Sequence, residues 1–336
     1  MTDREIRKPT GKDLGFATSS SSPEISINGD VNLIVNGSPV RVELGGGRLI
    51  PSVGFLGPRG TYTEEAKEAL MGVNTSGKFT EEPLRMTNRG VVEVIDQGVF
   101  DVGVVASENA IEGDVAMTWK ALLKSDLSIL GETVLPIHNM LIGNPDEPIT
   151  EIRTHSHAFP QCERFLTQYH PDVERVETSS TAQAVEDIVN RKGAAAIASR
   201  KVAELYRVPI IAENIGDNSH NATRFFLLGR GETEPTGNDT TTLAFVPEIN
   251  GPGTLLDYLR PFAERGIDMT KIDSHPSGKM GKYLFLISID GHSKDAKISK
   301  AVSELGVICE QIKILGSYKK ADIPEGVNVP GTWNGD

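Results

Sequence analysis

Short apolar runs alternate with amphipathic stretches through most of this sequence. Residues 53–56, 102–106 and 194–198 are typical of buried strands, and segments with the apolar spacing of a helix lie between them. The segments 61–72 and 180–193 each begin with a hydroxyl residue followed three positions later by Glu or Gln, and each ends at glycine. We therefore predict α/β layers around a largely parallel sheet.

The last hundred residues follow a different order. After a polar, turn-rich linker at 232–239, the pattern predicts strand 240–247, helix 253–265, strands 267–274 and 282–289, helix 294–305 and strand 307–316. This βαββαβ order is that of a ferredoxin-like fold. We expect a second domain over 240–318, with 319–336 as a tail.

The N-terminal fifty residues contain two kinds of sequence. Residues 1–23 are polar and end in a serine run, which predicts a disordered arm. Residues 24–50 alternate apolar and polar side chains around Asn28-Gly29 and Asn36-Gly37, which predicts a short β extension, either a hairpin or a three-stranded meander. The sequence assigns no function to this extension.

Composition limits the classes of partner. A chain of 336 residues is long enough for two or three compact units. Its formal charge of -12 disfavours nucleic acid and anionic membranes, so an anionic ligand needs a local positive site. Two cysteines, no signal-peptide pattern and no apolar run of membrane-spanning length predict a cytoplasmic protein without disulfides.

The segment 217–226 carries the strongest candidate chemistry. Asn221, Thr223 and Arg224 precede an apolar run that begins at Phe225. Such polar donors are poor core material because each needs a buried partner. They suit a site that holds a small anion and delivers one proton, although a surface loop entering a strand is the alternative.

Other polar residues follow predicted strands or begin helices. Ser107, Glu108 and Asn109 follow one strand, whereas Thr61 and Ser180-Thr181 begin helices. Ligands of open α/β sheets lie at the carboxyl ends of strands, and helix N-termini attract anions. Ordinary helix capping is the alternative at each hydroxyl residue.

His155 and His157 invite a metal hypothesis because alternate residues of a strand share a face. Without a cysteine or carboxylate at ligand spacing nearby, we predict no metal there.

Taken in order, these motifs resemble the prephenate dehydratase family from about residue 53 to 318. The resemblance rests on residues 53–63, Ser107-Glu108-Asn109 with Glu112-Gly113, Ser180-Thr181-Ala182, residues 194–199, Thr223-Arg224-Phe225, Gly253-Thr254-Leu255-Leu256 and Asp273-Ser274-His275-Pro276. The last two are similar to the signatures of a regulatory ACT domain.

The resemblance implies a dehydratase domain at 52–231 with two lobes, like a type II periplasmic binding protein. The lobes are expected at 52–131 plus 211–231 and at 132–210, with the substrate between them. The implied reaction is the decarboxylating dehydration of prephenate to phenylpyruvate in phenylalanine biosynthesis. Aromatisation drives it, so no cofactor is expected.

The resemblance also implies roles for individual residues. Thr223 is expected to contact the leaving hydroxyl, and Glu108 is a speculative proton donor. Arg224 suits either a substrate carboxylate or a structural ion pair. The implied substrate-binding residues are Thr61, Ser107, Glu108, Asn109, His155, Ser180, Thr181, Asn221, Arg224 and Phe225.

Phenylalanine is the implied effector, bound between paired ACT domains of a homodimer or homotetramer. The implied contacts are Gly253, Thr254, Leu255, Leu256, Asp273, Ser274, His275 and Pro276. This chain has Asp273 and His275 where the family has glutamate and arginine, so we expect weaker or pH-dependent effector binding.

Three other functions stay open. An arogenate dehydratase would differ only in accepting an amino group on the substrate side chain. A prephenate decarboxylase would retain the ring hydroxyl. A non-catalytic amino-acid-binding sensor would retain ligand without turnover.

Overall fold

A computed structural model describes residues 30–46, 48, 50–72, 80–249, 251–276, 283–324 and 327. The predicted arm at 1–23 and the first residues of the β extension lie outside these ranges. None of the helices within them is long and apolar enough to cross a bilayer.

The strands are β1 (Asp30–Val35), β2 (Ser38–Glu43), β3 (Ser52–Leu56), β4 (Thr80–Leu84), β5 (Val102–Asn109), β6 (Gly113–Asp114), β7 (Ser128–Pro136), β8 (Met140–Gly143), β9 (Glu151–His155), β10 (Glu174–Thr178), β11 (Ala194–Ala198), β12 (Ile210–Ala212), β13 (Ala222–Gly229), β14 (Gly231–Thr233), β15 (Asp239–Pro247), β16 (Met269–Pro276), β17 (Tyr283–Asp290) and β18 (Cys309–Lys319). The helices are α1 (Tyr62–Met71), α2 (Asn88–Asp96), α3 (Ala116–Leu122), α4 (Ala158–Gln161), α5 (Glu163–Tyr169), α6 (Thr181–Ile188), α7 (Arg200–Tyr206), α8 (Thr254–Ala263) and α9 (Ala296–Ile308).

Two sheets form the two lobes. The first lobe has the order β4-β3-β5-β13-β7, and the second has β10-β9-β11-β8-β12. In the first lobe β3 runs parallel to β4 and β5, whereas β13 returns antiparallel between β5 and β7. The chain thus leaves the first sheet after β7 and re-enters it at β13, which confirms the expected two-lobed type II α/β fold.

The predicted helix starts are observed. Thr61 caps α1 by accepting a hydrogen bond from the Glu64 N–H, and Ser180 caps α6 by accepting one from the Gln183 N–H. The first helix ends at Gly72, as predicted. These caps satisfy N–H groups that lack partners within the helix, which explains where each helix begins.

The predicted β extension is a hairpin of β1 and β2, called the hairpin below. Its turn residues Asn36 and Gly37 have φ values of 50° and 75°, the left-handed conformation that a two-residue hairpin turn requires. The third strand of this sheet is β14, which pairs with β2. The first strand of the meander alternative falls before residue 30 and lies outside the described residues. The segment expected to be a linker begins within β14.

The hairpin buries its apolar face against the first lobe. Five of its side chains join the core that lies between the sheet and α1: Val31, Leu33, Val35, Val40 and Val42. Phe55, Leu70 and Phe225 belong to the same core. The hairpin is therefore part of the hydrophobic core of the first lobe.

The C-terminal domain comprises β15 to β18 with α8 and α9. Its antiparallel order β16-β17-β15-β18 confirms the expected ferredoxin-like βαββαβ fold. One face of the sheet packs on the two helices through Phe245, Tyr258 and Phe262.

The other face of this sheet packs on the first lobe. Leu315 and Tyr318 share one buried cluster with Trp119, Ile129 and Phe226. The backbones are so close that a Cβ at Gly316 would lie 2.3 Å from the Ile129 carbonyl oxygen. The C-terminal domain is therefore joined to the first lobe by a continuous apolar core.

Candidate functional site

The register between β5 and β13 brings the predicted site residues together. Thr223 lies opposite Asn109, and Arg224 lies opposite Glu108. The two pairs are successive rungs of one antiparallel ladder, yet their side chains enter different networks.

The first pair belongs to a network of uncharged groups. Asn109 Nδ2 donates to Thr223 Oγ1 at 2.9 Å, to Asn221 Oδ1 at 3.0 Å and to the Ala222 carbonyl at 3.1 Å. Asn109 Oδ1 accepts backbone N–H groups from the following turn, so the amide orientation is determined by its surroundings. Thr223 Oγ1 therefore accepts a hydrogen bond and retains its own proton for another partner.

This network extends into the second lobe. Asn221 Nδ2 donates to Gln161 Oε1 at 3.1 Å, and Gln161 Nε2 donates to Glu112 Oε1 at 3.0 Å. Glu112 Oε2 lies 2.7 Å from His157 Nδ1. We call Asn109, Asn221, Thr223 and Gln161 the neutral network.

A cavity of about 450 Å³ lies where the lobes meet at this network. Its lining residues are Ile111, Glu112, Ser156, His157, Pro160, Gln161, Asp217 and Asn218. Thr223 is not part of the lining and is 8% exposed, so Gln161 is the residue that joins the cavity to the neutral network.

The second pair belongs to an ionic network. Arg224 Nε lies 3.2 Å from Glu108 Oε2, and Arg224 Nη1 lies 2.5 Å from Glu132 Oε2. Lys271 of β16 pairs with Asp114 and lies 3.3 Å from Glu108 Oε1. We call Glu108, Asp114, Glu132, Arg224 and Lys271 the ionic network.

Electrostatics keep Arg224 charged. Burial lowers its pKa, but the carboxylates of Glu132 and Glu108 outweigh burial and raise the pKa above its ordinary value. Of the two roles open for Arg224, the structural ion pair is the one observed. Both nitrogen-to-carboxylate contacts are made within the protein, and substrate contact by Arg224 or Glu108 stays a prediction.

Two other predicted contact residues are buried. Ser107 Oγ donates to the Arg224 carbonyl, and the Ser107 carbonyl accepts the indole N–H of Trp119. Phe225 is 2% exposed and packs in the core beside the hairpin. Both side chains are buried, and substrate contact by Ser107 or Phe225 stays a prediction.

Thr61 and the residues Ser180 and Thr181 stand at helix starts. The Thr61 hydroxyl donates to the Leu56 carbonyl at 2.8 Å, and Ser180 Oγ is the cap of α6, whose first residue is Thr181. Ordinary capping, the alternative for these hydroxyls, is observed for Thr61 and Ser180. Contact with a ligand stays a prediction for them.

His155 and His157 do not share a strand face. His155 ends β9, whereas His157 immediately precedes α4, and their ring centroids are 5.1 Å apart. Burial, followed by His157, lowers the pKa of His155. In the described ranges, the groups close enough to share a metal ion are Asp114, Asp273 and His275, and Lys271 already pairs with Asp114.

The two candidate effector motifs lie at the start of α8 and on β16. Gly253, with a φ of 82°, caps α8, and Thr254 Oγ1 donates to the Gly251 carbonyl at 2.8 Å. Leu255 and Leu256 are exposed. On β16, Asp273 Oδ2 lies 3.1 Å from His275 Nε2, while Ser274 and Pro276 complete the motif.

Asp273 also meets a carboxylate of the first lobe. Burial raises the pKa of Asp114, although Lys271 opposes this shift, and one carboxylate oxygen of Asp114 lies within 4.8 Å of one of Asp273. The candidate effector motif on β16 therefore lies beside the ionic network.

The family model described as prephenate dehydratase matches residues 53–233 of this chain. That match includes the neutral network and covers more than half of the sequence. This chain belongs to the prephenate dehydratase family.

Curated members of the prephenate dehydratase family align along most of the chain. The bifunctional chorismate mutase/prephenate dehydratase of Stutzerimonas stutzeri is 37% identical, over 80% of this chain and 73% of that protein. The prephenate dehydratase of Methanocaldococcus jannaschii is 35% identical, over 79% of this chain and 97% of that protein. The crystal structure of prephenate dehydratase in complex with L-Phe from Arthrobacter aurescens superposes with a TM-score of 0.71 at 34% identity, covering 80% of this chain and 90% of that one.

Three residues of the candidate site have no role predicted from the sequence. Gln161, Glu112 and His157 meet only when the two lobes come together. The available signal was the spacing of His157 and Gln161, which places both on one side of the short helix α4. Glu112 belongs to one of the family motifs, but the sequence indicated no chemical role for it.

Proposed function

We propose that this protein converts prephenate to phenylpyruvate, with release of carbon dioxide and water, in phenylalanine biosynthesis. One observation carries the proposal: in a chain of this family, Asn109 Nδ2 donates to Thr223 Oγ1 at 2.9 Å where β5 and β13 lie side by side. The threonine hydroxyl is thereby oriented with its proton available.

The reaction breaks two bonds of the substrate. The carboxylate on the quaternary ring carbon leaves as carbon dioxide, and its bonding electron pair moves into the ring. The ring C–O bond breaks, and the departing hydroxide receives a proton and leaves as water. The ring becomes aromatic, which supplies the driving force without an electron acceptor.

Thr223 acts on the departing hydroxide in this proposal. A hydroxyl is a weak acid, so Thr223 hydrogen-bonds to the leaving oxygen or relays a proton from a stronger donor. General acid assistance of this kind contributes about 10²- to 10⁴-fold. We retain the helix starts at Thr61 and at Ser180 and Thr181 as candidate carboxylate sites, because helix N-termini attract anions.

The direct test is to incubate the purified protein with prephenate and to follow phenylpyruvate by its absorbance in alkali. Formation of phenylpyruvate with and without EDTA supports a dehydratase that needs no metal. Loss of activity with EDTA and its recovery with a divalent ion would contradict the metal-free proposal.

The same assay separates the other functions. Preference for arogenate, with phenylalanine as product, would identify an arogenate dehydratase. A product that retains the ring hydroxyl would identify a decarboxylase, and binding without any product would identify a sensor.

We further propose that the C-terminal domain is a regulatory ACT domain and that it binds phenylalanine as an effector. The complex of the Arthrobacter aurescens relative with L-Phe supports this. Calorimetric titration with phenylalanine tests it, and we expect His275→Arg to bind more tightly because it restores a permanent charge. Unchanged affinity in His275→Arg would show that the ligand does not depend on charge at this position.

A homodimer or homotetramer is part of the proposal. Apolar side chains on the C-terminal domain support it, because Leu256, Ile272 and Val307 are 65%, 46% and 80% exposed. Light scattering of the purified protein tests the assembly. A cytoplasmic location also stays a proposal, supported by the free thiols of Cys162 and Cys309.

A further inference from the structure

We propose that Lys271 of the C-terminal domain is a positioning residue for the dehydratase site and connects the effector motif to that site. The inference rests on the proposed function, because both the reaction and the effector are those proposed above. It assigns a specific residue to the connection between the two domains.

The contacts of Lys271 cross from the C-terminal domain to the first lobe. Its ammonium group pairs with Asp114 and lies 3.3 Å from Glu108 Oε1. It also lies 5.7 Å from the centroid of the Trp119 ring, within reach of a cation–π contact. The side chains of Lys271, Glu108 and Asp114 are 20%, 11% and 14% exposed, so solvent screens these contacts less than it would at the surface.

Glu108 is one residue from the neutral network. It precedes Asn109 on β5, and its other carboxylate oxygen lies 3.2 Å from Arg224, the residue after Thr223 on β13. Lys271 and Arg224 thus hold the Glu108 carboxylate from two sides. Because Asn109 donates to Thr223 Oγ1, a shift of this part of β5 changes the orientation of the proposed catalytic hydroxyl.

The other end of the connection is the effector motif. Lys271, Asp273 and His275 alternate along β16 and share one of its faces. Asp114 pairs with Lys271, and one of its carboxylate oxygens lies within 4.8 Å of one of Asp273, so the two β16 residues face the same carboxylate. A ligand ammonium group that pairs with Asp273 would change the charge around Asp114, and Lys271 would then divide its contacts differently between Asp114 and Glu108.

This arrangement gives the effector a route that needs no large domain movement. The C-terminal domain already shares an apolar core with the first lobe. A redistribution of one ammonium group between two carboxylates requires only side-chain motion. Coupling through such a two-state element is a physical mechanism for allostery.

The experiment compares Lys271→Met and Lys271→Arg with a matched control, Lys313→Met. Lys313 also reaches from the C-terminal domain to the first lobe, where it donates to the carbonyls of Leu122, Leu123 and Ser125 at the end of α3. Those carbonyls are not part of the ionic network. Both methionine variants keep an apolar stem and remove one interdomain ammonium group.

Each variant is measured by kcat and KM for prephenate, by inhibition with phenylalanine and by calorimetric binding of phenylalanine. For Lys271→Met we expect kcat to fall about tenfold with a smaller change in KM, a magnitude typical of coupled positions. Phenylalanine should still bind, but its inhibition should be reduced. Lys271→Arg should recover most of both properties, and Lys313→Met should keep the wild-type inhibition ratio.

The outcomes separate this inference from the proposed function. A wild-type protein without prephenate turnover would overturn the proposed function and this inference with it. An active wild type with normal kcat and inhibition in Lys271→Met would overturn the inference alone. An equal loss of inhibition in Lys313→Met would also overturn it, because the effect would then belong to the domain interface in general.

Discussion

Two neighbouring rungs of the β5–β13 ladder differ completely in their chemistry. The rung of Asn109 and Thr223 contains amide and hydroxyl groups, whereas the rung of Glu108 and Arg224 contains charges. The first belongs to a network that extends to the cavity between the lobes. The second is connected through Lys271 to the C-terminal domain.

The difference shows that adjacent residues have different roles. The charged residues stabilise the structure, and the uncharged residues carry the proposed chemistry. In the ionic network, two cationic groups meet three carboxylates, and these contacts occupy Arg224. We therefore expect an anionic substrate to be held mainly by neutral donors and helix starts. The sequence left Arg224 open to a substrate carboxylate or to a structural ion pair, and the structure shows ion pairs with Glu108 and Glu132.

The largest effect is expected for Arg224→Met, which leaves Glu108 and Glu132 without this partner. Removing one member of a buried ion pair typically costs about 3–5 kcal/mol. Arg89→Met is the control, since the Arg89–Glu93 pair is exposed and is expected to contribute at most about 0.5 kcal/mol. Urea unfolding of both variants checks this, and equal losses would contradict the division between the two networks.

Thr223→Val should have the next largest effect, and this effect should be on turnover and not on stability. We expect kcat/KM to fall about 10²- to 10³-fold, the loss typical of one transition-state hydrogen bond. The thermal midpoint should change little, because valine has nearly the same shape. Thr223→Ser keeps the oxygen and should retain much of the activity, whereas wild-type kcat/KM in Thr223→Val would exclude Thr223 from the reaction.

Asn109→Asp introduces a charge into the neutral network and removes the donor to Thr223. We expect kcat/KM to fall roughly 10- to 100-fold, since an unmet buried hydrogen-bonding group costs about 1–3 kcal/mol. Asn144→Asp makes the same change at an exposed turn and should leave steady-state kinetics unaltered. Full activity of Asn109→Asp would show that the network tolerates a carboxylate.

The smallest effect concerns His155, whose pKa is lowered by burial and by His157. The unfolded chain, with an ordinary pKa near 6.5, then binds more protons than the folded chain just below that pH. The free energy of unfolding should therefore fall as the pH decreases through this window. His155→Gln should make the free energy of unfolding less dependent on pH in this window. Identical pH profiles of unfolding free energy for the wild type and His155→Gln would contradict this role of His155.

The sequence predicted the elements of the fold better than their partners. Capping boxes and apolar spacing located α1 and α6, because these signals depend on neighbours along the chain. The pairing of β14 with β2 was missed, because three residues show no periodicity and their partner lies far away in sequence. The packing of the C-terminal sheet on the first lobe was also missed, because the residues in contact lie far apart in the sequence.

The site shows the same limit at the level of side chains. Asn109, Asn221 and Thr223 were predicted and are joined by hydrogen bonds. Phe225 and Ser107 were expected to contact the substrate, and the structure shows that both side chains are buried. No role was predicted for Lys271, because the sequence around a lysine on a strand does not indicate that it will contact Glu108 and Asp114 in another domain.

The hairpin has a practical consequence for any shortened form of this protein. The family match begins at residue 53, after both hairpin strands have ended. A truncation chosen from that boundary would remove five apolar side chains and expose the α1 side of the first lobe to water. Such a fragment would keep every proposed catalytic group and still be prone to aggregation, so recombinant boundaries should be set upstream of residue 30.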